Sequence, residues 1–180
     1  MGVTIRQATT ADAAALSELA AATFPLACPP GSTEADIAAF IAEHLSAGAF
    51  SGYLVDPARA VFVAEDAGAP QPLLAYTMLV DAPTKDPDVA AVLGTPAAIE
   101  LSKCYARPDC HGRGVSTMLM DASLQWALGK GAPEVWLGVN DENLRARSFY
   151  EKHGFSVAGT KSFTLGNRVE HDYVMVRPSS

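Results

Sequence analysis

The stretch Arg107-Pro108-Asp109-Cys110-His111-Gly112-Arg113-Gly114-Val115-Ser116 carries the densest chemical signal in the chain. Two of its glycines open a segment that reads as an amphipathic helix from Arg113 to Gly129. Val115, Met118, Leu119, Ala122 and Trp126 recur there at helical spacing. Glycine lets a backbone approach a ligand closely. The unpaired N–H groups of a first helical turn, together with the helix dipole, favour an anion. A diphosphate is a natural guest, and Arg113 could add a charge-assisted contact. The same glycines would also serve a plain strand-to-helix turn. No Gly-Lys-Ser/Thr ends the segment, so it is not a P-loop, and the spacing of a dinucleotide-binding Gly-x-Gly-x-x-Gly turn is absent.

Single residues outside this turn also have chemical potential. Glu100 lies in a predicted strand, Ala98 to Ala106, whose alternation places Glu100, Ser102 and Cys104 on one face. A carboxylate among apolar neighbours has a raised pKa and could draw a proton through water. The competing reading pairs it with Lys103 or leaves it solvated. Tyr150 follows Asn143 by seven positions, so a helix would hold both on one face, about 10 Å apart along its axis. Tyr150 is either a chemical group or an aromatic core residue beside Phe149. Cys104 reads as a small core residue, and Cys110, close to a helix N-terminus, as an exposed thiol. His44 and His153 fall near helix C-termini, where a cation is comfortable. No histidine pair has metal-ligand spacing, so no metal is expected.

These residues need a scaffold. Val3 to Ala8 reads as a strand and Ala11 to Thr23 as a helix. Phe24 to Gly31 holds three prolines and is expected to be irregular. Ser32 or Thr33 caps a second helix with Ile37, Phe40, Ile41 and Leu45 along one stripe. Ala60 to Glu65 and Leu73 to Val80 form a hairpin across the turn Asp66 to Pro72. Asp81 to Pro96 is expected to be a loop. Glu134 to Val139 is a strand and Asn143 to His153 a helix. Val157 to Leu165 and His171 to Val176 are closing strands joined through Gly166-Asn167. Interleaved strands and helices after a hairpin indicate a mixed α/β sheet covered on both faces.

The 180 residues fit one domain, 1–180, with 49% hydrophobic and 18% charged residues. No apolar run approaches the roughly 20 residues of a membrane helix. The N-terminus lacks a secretory pattern, and three cysteines in no metal-like spacing fit a reducing cytosol. A formal net charge of −7 argues against nucleic-acid binding. It keeps the protein soluble and attracts cations only mildly.

His111-Gly112-Arg113-Gly114-Val115-Ser116 resembles the Gln/Arg-x-x-Gly-x-Gly/Ala turn of the GNAT superfamily of N-acetyltransferases, with His111 and Ser116 as departures. Val135 to Val139, then Asn143, Ala146 and Tyr150, then Gly154-Phe155, resemble that superfamily's strand, Asn-x-x-Ala-x-x-x-Tyr and Gly-Phe. The resemblance covers about residues 98 to 177 well. Within the superfamily the chain most resembles bacterial polyamine acetyltransferases, through Trp136-Leu137-Gly138-Val139, Ser162 to Gly166, Asp172, Met175, Glu100-Leu101 and Tyr105. Thr160-Lys161 departs from that subgroup.

The resemblance implies a mostly antiparallel central sheet of about six or seven strands with helices around it and strands four and five splayed apart. It implies acetyl-CoA as cosubstrate and a primary amine, polyamine or other small molecule, as acceptor. Attack is direct, without a covalent enzyme intermediate. His111, Gly112, Arg113, Gly114, Val115 and Ser116 would cradle the pyrophosphate. Cys104, Tyr105 and Ala106 would pair with pantetheine along an open strand edge. Asn143 would hold the pantetheine arm, Tyr150 would protonate the leaving thiolate, and Glu100 would act as base. A homodimer is compatible with this reading. A non-catalytic acyl-CoA-binding module would keep the turn and lack the acid and base.

Overall fold

A computed structural model describes residues 2–180. Its order is β1 (Thr4–Gln7), α1 (Ala13–Ala27), α2 (Glu34–His44), α3 (Ala47–Val55), β2 (Arg59–Glu65), β3 (Leu73–Val80), α4 (Pro87–Val92), β4 (Ile99–Ala106), α5 (Val115–Gly129), β5 (Glu134–Asn140), α6 (Leu144–Lys152), β6 (Ser156–Leu165) and β7 (Arg168–Pro178). The seven strands form one sheet in the order β1-β2-β3-β4-β5-β7-β6. Every pairing is antiparallel except β4 with β5, which is parallel. No helix among the described residues is long and apolar enough to cross a membrane.

Each face of the sheet carries its own core. On one, Leu16, Leu19, Ala20 and Phe24 of α1 and Phe50 of α3 pack on Val61, Val63, Tyr76 and Met78. On the other, Met120 and Ala127 of α5 pack on Leu101, Val135, Leu137 and Met175, with Tyr150 and Phe149 of α6 alongside. A buried 2.8 Å hydrogen bond between the Thr77 and Ser123 hydroxyls pins α5 to β3. Ser123 also reaches the Leu119 carbonyl at 2.7 Å, so neither hydroxyl is left unpaired.

Three of these elements correct expectations from sequence, and a fourth, α3, was not anticipated. Helix α1 runs through Pro25 to Ala27, although that proline cannot donate to the preceding turn. Phe24 is buried and stacks on Phe40 at 4.5 Å, and this contact holds the last turn in place. Helix α3 has no counterpart in the sequence reading, and Gly48 and Gly52 lower its helix propensity. Ser46 starts it by accepting from the Ala49 N–H at 3.1 Å. Within the expected loop 81–96, Asp86 caps the short helix α4 by accepting from Asp88 N–H at 2.9 Å. Strand β7 begins at Arg168, directly after the Gly166-Asn167 turn, because the antiparallel ladder with β6 extends to Leu165↔Arg168.

The register of β4 decides which of its side chains share a face. Leu79 pairs with Leu101 and Met78 with Lys103, so Ser102 is an extra residue, a β-bulge. The bulge reverses alternation along the strand. Leu101 and Cys104 therefore share the α5 face, whereas Tyr105 joins the α1 face. Glu100 pairs directly with Trp136, which packs with Val89 of α4. The expected sharing of one face by Glu100 and Cys104 is thus overturned by a single inserted residue.

Phe50 is fully buried and meets Tyr53 and Tyr76 edge-on, with centroids 5.6 and 5.7 Å away. Phe50→Ala should lower unfolding free energy by about 3–5 kcal/mol, measured by urea denaturation. A loss below about 1 kcal/mol would mean that α3 contributes little to the core.

Candidate active site

Strands β4 and β5 pair at only two positions, Ile99↔Val135 and Glu100↔Trp136. Beyond them β4 continues to Ala106 and β5 to Asn140 without pairing to each other. The edge of β4 from Leu101 onward is therefore open toward β5, with unpaired main-chain groups along it. Two cavities meet in this gap, one of about 680 Å³ and one of about 170 Å³. Both are bordered by Ala27, Cys104, Tyr105, Asn143, Ala146 and Tyr150.

The larger cavity runs from the gap to the start of α5. Cys104, Tyr105, Ala106, His111, Gly112, Gly114, Val115 and Ser116, all singled out from sequence, border it. Gly112 and Gly114 have φ of +83° and +73°, left-handed values at which a side chain is strained. Gly114 is the N-cap of α5, and no side chain caps that end. The first amides of α5 are therefore available to an anion. A Cβ at either glycine would meet no protein atom within 4 Å, so the space over these amides is open. A chain carrying a diphosphate fits this combination of open space, free amides and helix dipole.

Arg113 departs from expectation. Its guanidinium approaches Asp66 at 3.7 Å, in the turn between β2 and β3, and it does not border the cavity. The cations that do border it are Arg145 and Lys152 of α6. Arg145 contacts the imidazole of His111, which brings its guanidinium to the glycine turn. Sequence reasoning passed over both. Their signal was the spacing Arg145, Ser148, Lys152, which lies on one helix face.

Asn143 is the N-cap of α6 and not part of the helix. Its Oδ1 accepts from Ala146 N–H at 3.2 Å, which leaves its amide N–H groups for the gap. Tyr150 and Cys104 lie side by side in the dividing wall, both half-buried. Burial pushes the Cys104 thiol up to about 11, and neighbouring Tyr150 partly opposes that rise. Burial also pushes the Tyr150 phenol well above its ordinary value, with Cys104 and Tyr105 adding to the shift. Tyr150 thus holds its proton at neutral pH. Cys110 is buried, contrary to the exposed thiol expected; its thiol reaches the Leu74 carbonyl at 3.6 Å and its pKa is raised by burial.

The smaller cavity lies beyond the gap, between α1 and β5–β7. Phe24, Cys28, Pro29, Ser102, Asn140, Phe163 and Asp172 border it. Asp172 is the carboxylate on this wall, and burial raises its pKa while Lys161 opposes the rise. Lys161 Nζ stands 3.5 Å from Asp172 Oδ2, both side chains at most 15% exposed. Gly138 makes room for it, since a Cβ there would come within 2.6 Å of Lys161 Cε. Glu100 borders neither cavity. Its pKa is raised by burial, against the fields of Lys103, Lys161 and Arg59. Desolvation pushes Lys103, half-buried nearby, down to about 8. Among the described residues no cluster of three histidine, cysteine or carboxylate groups could hold a metal ion.

Comparison with known proteins agrees with this geometry. Residues 14–155 match the acetyltransferase (GNAT) family. The chain is 43% identical to an uncharacterized N-acetyltransferase of Mycobacterium tuberculosis over 166 residues, 92% of this chain and 97% of that protein. Its fold is similar to that of a PaiA N-acetyltransferase from Thermoplasma acidophilum in complex with coenzyme A, with a TM-score of 0.75, 21% identity and 99% of each chain covered. It is also similar to the ribosomal-protein-S18-alanine N-acetyltransferase of Escherichia coli, with a TM-score of 0.70, 18% identity, and 99% of this chain and 95% of that one covered. A parted pair of parallel strands, a glycine turn opening α5 and this match over most of the length establish that the chain belongs to the acetyltransferase (GNAT) family.

Proposed function

We propose that this chain, as a single domain, transfers the acetyl group of acetyl-CoA to a primary amine of a small molecule by direct attack on the thioester. The observation that carries the reading is the meeting of two cavities at Tyr150, one suited to a diphosphate-bearing chain and the other to a small acceptor. The free amides at Val115 and Ser116, the glycine turn at Gly112 and Gly114, and His111 with Arg145 would hold the pyrophosphate. The open edge at Cys104, Tyr105 and Ala106 and the Asn143 amide would hold the pantetheine arm. A main-chain N–H on that edge would stabilise the oxyanion.

The chemistry then needs two proton movements. The amine must be neutral when its nitrogen bonds to the carbonyl carbon, so its proton leaves first. Asp172 borders the acceptor cavity and takes it. Glu100, the carboxylate favoured from sequence, acts at one remove, because Lys161 lies in the field of both carboxylates. As the carbon–sulfur bond breaks, the sulfur becomes a thiolate. Tyr150, still protonated through burial, donates its proton or a hydrogen bond to it. Cys104 stays a thiol and takes no covalent part, in keeping with its pKa near 11. The resemblance to polyamine enzymes makes a polyamine one acceptor within this class.

Tyr150→Phe should lower kcat by about 10²-fold or more while the thermal shift given by acetyl-CoA persists. An unchanged kcat would remove Tyr150 from the mechanism. Gly114→Val should abolish that thermal shift, because its side chain fills the space over the α5 amides; a retained shift would mean that the phosphates sit elsewhere. The base must be ionised, so kcat/KM should rise with pH through a carboxylate pKa above the ordinary value. Asp172→Asn should erase that acid limb and Glu100→Gln should leave it. The reverse result would return the role to Glu100. Thiol release from acetyl-CoA over an amine panel tests the whole reading, and binding without any turnover would mark a non-catalytic acyl-CoA-binding module.

A further inference from the structure

The larger cavity carries charge of one sign. Arg145 and Lys152 border it, with His111 beside the first, and among the described residues no carboxylate does. This stands out in a chain of net charge −7 with 20 aspartates and glutamates. Cations close by are neutralised: Arg113 lies 3.7 Å from Asp66, and Arg147 lies 3.5 Å from Glu151 on α6 itself. Among the described residues neither Arg145 nor Lys152 has a carboxylate within 4.0 Å. A wall with two unpaired cations complements a ligand that carries more than one anionic group.

The two cations occupy different places. They share one face of α6 with Ser148, about 10 Å apart along its axis, while Asn143, Ala146 and Tyr150 hold the face turned to the gap. Arg145 contacts His111, at the start of the glycine turn. At the other end of α6, His153 lies 3.5 Å from the Thr117 hydroxyl, which sets that end against the first turn of α5. Lys152, adjacent to His153 in the chain, borders the cavity there, as does Thr117. The α5 amides and Arg145 account for one anion, the diphosphate. Lys152 is left without one.

We infer that Lys152 takes the ribose 3′-phosphate of the coenzyme and makes the protein selective for the 3′-phosphorylated form. This rests on acetyl-CoA being the cosubstrate. With the thioester at Tyr150 and the diphosphate at the glycine turn, the adenosine end passes to the face of α6 that carries Ser148 and Lys152. A phosphate monoester there has a charge of about −1.5 to −2 at neutral pH. The lysine ammonium meets it as a point charge on a flexible stem, and the Ser148 and Thr117 hydroxyls border the same space. A coenzyme without that phosphate keeps every other contact and leaves Lys152 unmatched, so the difference in affinity falls on this one residue.

Titration calorimetry with coenzyme A and 3′-dephospho-coenzyme A provides the test. The wild-type chain should bind coenzyme A about tenfold more tightly than the dephospho form. Lys152→Gln should remove most of that preference, by weakening coenzyme A and leaving the dephospho form as it was. Arg145→Gln should weaken both ligands. Lys152 is exposed, so its replacement should leave the melting temperature of the free protein within about a degree or two of wild type. Equal wild-type affinity for the two ligands, or an equal loss for both in Lys152→Gln, would overturn the inference and leave the transferase reading standing. Binding of neither ligand would remove the acetyl-CoA reading and this inference with it.

Discussion

Parallel pairing of β4 with β5 stops at Glu100 opposite Trp136, and that interruption makes the rest of the site possible. Continued to Ala106, the ladder would consume the main-chain groups of Cys104 to Ala106 and close the space between the cavities. Parallel strands need a crossover to join them, and here α5 supplies it. The helix therefore starts at the same end of β4 where the strands part. Its amides and the open strand edge border one continuous cavity.

A bulge at Ser102 adds a second constraint. By reversing the alternation of β4 it turns Cys104 toward Tyr150 and the α5 face, while Tyr105 faces α1. Thiol and phenol lie in the wall shared by the two cavities, and Asp172, paired with Lys161, borders the smaller one. Burial acts on both sides of this divide. It keeps Tyr150 protonated. It also raises the carboxylates, so that they hold a proton more readily than exposed ones, with Lys161 limiting the rise.

Much of this was visible in the residues. The glycines at 112 and 114 and the interval from Asn143 to Tyr150 are local patterns, and local geometry preserved them; the expected stripe of α5 was kept only in part, since its buried face carries Val115, Leu119, Met120, Ser123 and Ala127 while Met118 is exposed. Where expectation failed, a long-range contact overrode a local rule. Pro25 should end α1, yet the Phe24–Phe40 stack carries the helix on. Arg113 stood beside the glycine turn in sequence, yet Asp66 draws it away and Arg145, from another helix, takes the position. Glu100 looked like the carboxylate of the site; it borders neither cavity, and Asp172 borders the smaller one.

By itself the sequence determined the turn that opens α5, the helical face carrying Tyr150, and the mixed sheet with helices on both sides. Each follows from the preferences of adjacent residues and needs no knowledge of distant ones. Only the tertiary structure decided which groups border the smaller cavity. Asn140 and Asp172 border it because the β5–β7 ladder sets them opposite each other, and the β6–β7 ladder puts Lys161 beside Asp172, outside the lining. Side-chain spacing along a chain says nothing about register between strands, since that is settled by hydrophobic faces and turns acting together.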